Sequence, residues 1–335
     1  MSQSDTTNDR RLLADPGEER SNCGVGVVVD LDGGRSHRVL ADALDVLENL
    51  EHRGTTGAEE NTGDGAGALV QTPHEFFAAV FDDLPETYAV ASLFLPQDPD
   101  ERAAVVETVE NTLASHDLGV HAWRDVPTDN SDLGQTALDS EPHVAQAVVH
   151  PDGCSDFQKA LYVGRQAVEA AVDHDRFYVC SLDEDTVVYK GLLKGEQVAD
   201  YYPDLTDERV ETGFALVHAR FSTNTLGAWH LAHPYRNIIH NGEFNTIDGN
   251  GNWMRAREAD LAAEGFTDDE LETVLPVIDD PDQSDTASVD NALELLMQTG
   301  RSLPHALRML VPEAWQGDDD MSDARREFYD YHANL

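Results

Sequence analysis

The chain has 335 residues, 65 of them Asp or Glu against 22 Lys or Arg, for a formal charge of −43 at pH 7. That balance excludes a generic binder of nucleic acid or anionic membranes, which needs a basic face, and no apolar run approaches the roughly 18–20 residues of a membrane span. Cys23, Cys154 and Cys180 make neither a disulfide framework nor a CxxC metal pattern, and the polar first 22 residues lack a secretory apolar core, so a reducing, cytoplasmic compartment follows.

In chain order, residues 1–22 read as a disordered leader. Cys23–Leu31 (CGVGVVVDL) predicts a buried strand, broken by Asp32-Gly33-Gly34. Leu40, Leu44, Leu47 and Leu50 recur at helical spacing and predict an amphipathic helix over Val39–Glu51. Residues 54–67 form a glycine-rich loop, and Ala68–Gln71 starts the next strand. Tyr88–Leu95 predicts a strand and Asp100–His116 a helix, with Val105, Val106, Val109 and Leu113 inward. Val120–Asp125 and His143–Val149 read as strands, and Phe157–Val172 as a helix. Phe177–Ser181 and Thr186–Gly191 predict a hairpin across Asp183-Glu184-Asp185. Gly213–Phe221 and Tyr235–His240 read as strands, with a turn at Asn241-Gly242. Helices follow at Ser288–Thr299, Ser302–Leu310 and Asp323–Tyr331. Apolar periods of two and 3.6 alternate without regular βαβ units, which indicates an α+β fold with antiparallel strands and helices on the sheet faces.

Cys23 is the first candidate for chemistry. A thiol attacks only as a thiolate and needs a base to form it. Loss of the leader after Asn22 would make Cys23 the N-terminus, and its own α-amine, with a pKa near ~8, would supply that base. The bland alternative is a small buried hydrophobe at the start of a strand, and Cys154 and Cys180 keep that reading. The stretch His218–Arg257 is dense in functional residue types. Arg220 follows an apolar strand core, where a guanidinium binds a carboxylate with two hydrogen bonds or makes a structural ion pair. Asn241-Gly242 suits a tight turn, and such a turn aims an amide and a backbone N–H at one point, as an oxyanion requires. Asp285, just before a helix, either caps it or holds an ammonium group. His218, His230, His233 and His240 have poor spacing for a metal and no accompanying Cys or carboxylate set, so no metal site is expected. The loop 54–67 lacks the GK[ST] of a phosphate-binding loop. Asp248-Gly-Asn250-Gly-Asn252 fails as a calcium loop, because Trp253 stands where the turn glycine belongs and Ala259 where the bidentate glutamate belongs.

Several segments are familiar in order and spacing: Cys23-Gly-Val-Gly, Glu51-His-Arg-Gly, Thr62-Gly-Asp-Gly-Ala-Gly67, Trp123-Arg-Asp-Val-Pro127, Arg176-Phe-Tyr-Val-Cys-Ser181, Tyr189-Lys-Gly-Leu192, the 218–257 stretch, Ser284–Leu296 and Gly300–Trp315. Through them the chain resembles the N-terminal class II glutamine amidotransferase domain of the glutamate synthase large chain, from Cys23 to Leu335. The resemblance implies a four-layer αββα sandwich of the N-terminal-nucleophile hydrolase type, preceded by a leader over residues 1–22. It implies Cys23 as nucleophile and Asn241 with Gly242 as the oxyanion hole. It implies Arg220, with Thr223 nearby, on the α-carboxylate of glutamine, and Asp285 on its α-ammonium group. Glutamate and ammonia are the implied products, with ammonia passed to a synthase region that aminates 2-oxoglutarate. The family's FMN and iron–sulfur cluster belong to that region, so no cofactor is expected in this chain. In that family the chain continues beyond Tyr329-Asp-Tyr-His332, so the last strands of the sandwich are expected to be missing here and to come from a synthase region or a second chain. Two alternatives accompany this reading: a non-catalytic or incomplete subunit that needs a partner chain, and another class II amidotransferase such as asparagine synthetase.

With 40% hydrophobic residues and acids spread along the chain rather than in blocks, the charge reads as that of a folded protein from a high-salt cytoplasm, not of a disordered or purely interacting one. At about 1 M salt the Debye length falls to ~3 Å and most surface repulsion is screened. The thermal unfolding midpoint, followed by circular dichroism, should therefore rise steeply between about 0.1 M and about 1 M KCl. A flat profile would contradict this reading of the charge.

Overall fold

The structure is a computed structural model and describes residues 24–50, 59–220, 227–240, 246–258, 265–278 and 284–333. Strand β1 (Val25–Val29) leads into helix α1 (His37–Asn49), and β2 (Ala66–Gln71) into α2 (His74–Val80). Next come β3 (Ala89–Leu95), α3 (Pro99–Ala114), β4 (Leu118–Asp125), α4 (Gln135–Asp139) and β5 (His143–Pro151). Helix α5 (Phe157–Ala171) precedes β6 (Tyr178–Asp183), β7 (Thr186–Gly191), α6 (Gln197–Tyr201) and β8 (Phe214–Ala219). Beyond β8 the described elements are helical: α7 (Ile247–Glu258), α8 (Asp268–Val274), α9 (Asp285–Gln298), α10 (Leu303–Leu310) and α11 (Asp323–His332).

The strands form two antiparallel sheets, in the orders β1-β8-β2-β7 and β4-β5-β3-β6. Period-two alternation divides each strand between two layers. In β3, Ala89, Ala91, Leu93 and Leu95 pack with Val105, Val109 and Leu113 of α3 and Leu161 and Val168 of α5. The intervening Val90 and Phe94 join the core that contains Leu69, Val188 and Tyr189 of the first sheet. Leu40, Leu44 and Leu47, one stripe of α1, pack on the first sheet. The layers therefore run α1, first sheet, second sheet, α3 with α5, an αββα sandwich that realises the expected fold class. Among the described residues no helix is long and apolar enough to cross a membrane.

Three sequence expectations fail. The strand expected over Cys23–Leu31 is not buried: β1 covers Val25–Val29 at the edge of the first sheet, and Val27 and Val29 are more than half exposed. Strands β6 and β7 are not a hairpin: β6 pairs with β3 in one sheet and β7 with β2 in the other. The tight turn is present, with Asp183 Oδ1 accepting from the backbone N–H groups of Asp185 and Thr186 at 2.8 and 2.9 Å. It serves as a corner between facing sheets, where Ser181 Oγ accepts from Val188 N at 3.2 Å. Nor is Tyr235–His240 a strand. The Tyr235 N–H donates to the Ile238 carbonyl at 3.1 Å and turns the chain back. Its apparent alternation reflects two different surroundings, since Ile238 packs against the α9–α10 cluster while Arg236 enters a group of buried carboxylates. The segment 248–252, set aside above as a calcium loop, lies within α7.

Phe94 sits between the sheets at 2% exposure and meets Trp229 edge to face, with ring centroids 6.0 Å apart. Phe94→Ala should lower the unfolding free energy by about 3–5 kcal/mol, measured by urea denaturation in high KCl. A loss below about 1 kcal/mol would mean that the sheets do not pack there as described.

Candidate functional site

Of the predicted site residues, Arg220 and Asp285 are described, and Cys23, Thr223, Asn241 and Gly242 lie outside the described residues, as do the leader, the Asn241-Gly242 turn and Glu51-His-Arg-Gly. The segments that flank them are nevertheless placed. Gly24, which follows Cys23, accepts a hydrogen bond from Ala219 N at 2.7 Å, extending the β1–β8 pairing by one residue. A Cβ on Gly24 would stand 2.0 Å from the Ala219 carbonyl oxygen, so no side chain fits there. Arg220 follows Ala219, and its N–H donates to the Gly65 carbonyl at 2.8 Å. Gly65 has φ +128°, a conformation that favours glycine. The loop Thr62–Gly67 is thereby held against the end of β8.

Arg220 is partly buried, and burial pulls its pKa down while Tyr235 and Asp64 act in the opposite direction. Two residues back on β8, His218 is wholly buried. Its Nε2–H donates to the His240 carbonyl at 3.0 Å, and its ring stacks on His233 with centroids 4.2 Å apart. Burial pushes the His218 pKa down to about 4, with Arg220 and His240 adding to that effect and the bond to the His240 carbonyl opposing it. His233 is held well below the ordinary histidine range by burial and by His218, Lys190 and Arg220. Both rings are neutral at pH 7. His240 directly precedes Asn241; burial lowers its pKa and the Asp285 carboxylate acts against that. The Arg220 charge thus acts on one end of the His218–His240 link and the Asp285 charge on the other.

Asp285 does not cap α9. Ser284 does, with its Oγ accepting from Ala287 N at 3.2 Å. Asp285 lies in the first turn of α9, where the helix dipole favours negative charge.

The remaining cysteines make poor nucleophiles. Burial pushes the Cys180 thiol up to about 12, and it also raises Cys154. Among the described residues no group of three or more His, Cys, Asp or Glu is arranged to hold a metal ion.

Sequence reasoning assigned no role to Lys190, Tyr235 or the acid–base cluster behind them. Lys190 is 1% exposed and lies 4.5 Å from the ring centroids of both Tyr178 and Tyr235. Its Nζ donates to the His230 carbonyl at 2.9 Å, and burial brings its pKa down to about 8. Arg236 bonds Asn291 Oδ1 at 2.5 Å and pairs with Asp290 at 3.0 Å and Glu294 at 3.3 Å, while Arg165 pairs with Glu294 and Glu169. One signal was available: Lys190 is one of only three lysines and stands inside an apolar strand.

Residues 23–335 match the family of class-II glutamine amidotransferases. The chain is 40% identical over 331 residues to the glutamate synthase [NADPH] large chain of Bacillus subtilis, covering 96% of this chain and 22% of that one. It is 38% identical over 343 residues to ferredoxin-dependent glutamate synthase 2 of Synechocystis, covering 98% of this chain and 22% of the relative. With glutamate synthase [NADH] of Saccharomyces cerevisiae the identity is 40% over 348 residues, covering 98% and 16% respectively. The chain thus spans about a fifth of the length of these relatives.

The two buried histidines make stability depend on pH. A folded-state pKa below the unfolded value means that the unfolded chain binds more protons, so stability is fully present above about pH 6.5 and is lost as pH falls toward about 4. For His218 alone the loss is on the order of 3 kcal/mol. Urea unfolding of the wild type and of His218→Gln should show a smaller fall between about pH 7 and about pH 5 in the variant. Equal slopes would show that His218 is protonated as readily folded as unfolded.

Proposed function

This chain belongs to the class-II glutamine amidotransferases, and we propose that it hydrolyses the side-chain amide of glutamine as the glutaminase part of a glutamate synthase. The observation that carries the reading is the pairing of Gly24 with Ala219, which sets the residue after Cys23 against the residue before Arg220. The raised thiols of Cys154 and Cys180 leave Cys23 as the cysteine suited to attack.

In this proposal the leader is removed and Cys23 becomes the first residue. Its α-amine takes the thiol proton as sulfur adds to the amide carbon. The negative charge that develops on the amide oxygen is held by the Asn241 side chain and the Gly242 N–H. The amine returns the proton to the leaving nitrogen, ammonia departs, and water cleaves the thioester to release glutamate. Arg220, with Thr223, binds the substrate α-carboxylate, and Asp285 binds its α-ammonium group. Glutamine carries one cation, one anion and one amide, so three groups at fixed separations select it.

Ammonia then passes to a synthase region, on the same chain or a second one, for addition to 2-oxoglutarate. In this proposal FMN and an iron–sulfur cluster serve that reaction in the synthase region, and no step here runs through them. We place the protein in a high-salt cytoplasm, where its surface charge is screened.

The purified full-length protein in high KCl should release glutamate from glutamine, carry a mature mass without residues 1–22, and be labelled at Cys23 by an electrophilic glutamine analogue. Cys23→Ala should abolish turnover, and Asn241→Ala should lower kcat by about 10²–10³. An unprocessed mass with no labelling, or full activity in Cys23→Ala, would remove the basis of the assignment.

A further inference from the structure

The Tyr235 ring touches several parts of the candidate site's framework. It is 1% exposed. The Lys190 ammonium lies 4.5 Å from its centroid, and His233 meets it edge to face at 4.8 Å. Its hydroxyl lies 2.6 Å from Ser284 Oγ. Ser284 is the N-cap of α9, and Asp285 is the next residue. The Tyr235 hydroxyl also couples electrostatically to Arg220.

We infer that Tyr235 is a positioning residue for the amino-acid end of the substrate, fixing the first turn of α9, and with it the Asp285 carboxylate, relative to Arg220. This rests on the proposed glutaminase reading and adds to it a part that the predicted residues do not include. Glutamine's ammonium and carboxylate groups share one carbon, so their separation is rigid and the two protein charges must match it. Arg220 directly follows β8 and Asp285 opens α9, and the long intervening segment carries α7 and α8. Without a tie, that separation would follow every motion of the segment. Tyr235 supplies the tie through a stiff ring, and Lys190 clamps the ring from β7, the edge strand of the first sheet beside β2. Lys190 Nζ also holds the His230 carbonyl, so both ends of the 230–235 stretch are fixed to β7. Burial pushes the Tyr235 pKa up to about 12, which keeps the hydroxyl protonated and able to bond Ser284 across the working pH range.

Tyr235→Phe removes the hydroxyl and keeps the ring against Lys190 and His233. In the full-length protein it should raise KM for glutamine about tenfold while leaving kcat within about twofold. A second substrate isolates the positioning role: glutaramate, which is glutamine without its α-ammonium group. Wild type should prefer glutamine, and Tyr235→Phe should erode that preference, because only glutamine uses Asp285. A purely structural role would weaken both substrates equally. Ser284→Ala combined with Tyr235→Phe should be no worse than Ser284→Ala alone. An unchanged KM in Tyr235→Phe, or an equal loss with both substrates, overturns this inference while leaving the glutaminase reading in place. A wild-type protein without glutaminase activity overturns both.

Discussion

The ion pair of Arg236 with Asp290, 3.0 Å long, fixes the architecture around the site. Asp290 is wholly buried and the Arg236 side chain is 9% exposed. Moving such charges out of water costs several kcal/mol per ion, which only close and complete pairing offsets. The surroundings supply most of it, although among the described residues Asp290 Oδ2 and Arg165 Nε find no hydrogen-bond partner. Asp290 also accepts from Asn237 N at 2.8 Å, and Glu294 is shared between Arg236 and Arg165. Burial raises the Asp290 pKa while Arg236 holds it down. For Arg236, burial opposes the charge, yet Asp290, Glu294 and Glu169 together drive its pKa well above the ordinary value. Lys190 feels Asp290 and Glu169 too, so three cations face three carboxylates. They come from four places in the chain: Arg165 and Glu169 from α5, Asp290 and Glu294 from α9, Lys190 from β7, and Arg236 from the stretch after β8. Removing any one would leave an unmatched charge in the interior, and that requirement locks the stretch carrying His233, Tyr235 and Arg236 against the sandwich.

This constraint explains where sequence reasoning succeeded and where it did not. Thr186–Gly191 is a strand with the boundaries expected, and Phe157–Val172 and Ser302–Leu310 match α5 and α10 within a residue or two. There the apolar period reports burial directly. The β6–β7 connection misled because an Asp-rich turn between alternating strands looks the same in a hairpin and at a corner between sheets. The deciding contacts are distant ones, such as Ser92 with Ser181 in the β3–β6 pairing. Helix α7 was missed because Asp-Gly-Asn-Gly-Asn carries no helical propensity of its own. Tyr235–His240 imitated a strand because charges and apolar groups alternate there for unrelated reasons.

For the candidate site the sequence points to reactive groups and not to their supports. Arg220, Asp285 and the cysteine at the start of β1's segment stand out because such residue types are expensive or reactive where they occur. Tyr235 does not stand out, since a tyrosine beside proline reads as core, and Lys190 does so only as one of three lysines, inside an apolar strand. Their function follows from ring-centroid distances and a hydroxyl contact across 49 residues of chain. Ser284 shows the same limit: in sequence Asp285 is an equally good cap, and only the hydrogen bond to Ala287 separates the two.

The charge of −43 looks different once the few cations are located. Arg165, Arg236, Lys190 and the Arg124 that pairs with Asp204 are all largely withdrawn from solvent. Basic residues that could neutralise the acidic surface instead order the interior. The two populations respond differently to salt. Exposed carboxylates are screened within a few ångströms at high ionic strength, whereas buried pairs, shielded from ions, keep their strength. Salt therefore relaxes the surface repulsion without loosening the Arg236–Asp290 network or the Lys190–Tyr235 contact. Arg38, Arg209, Arg308 and Arg325 stay exposed and are screened with the acids, so the order around the site rests on the four withdrawn cations, which salt does not reach.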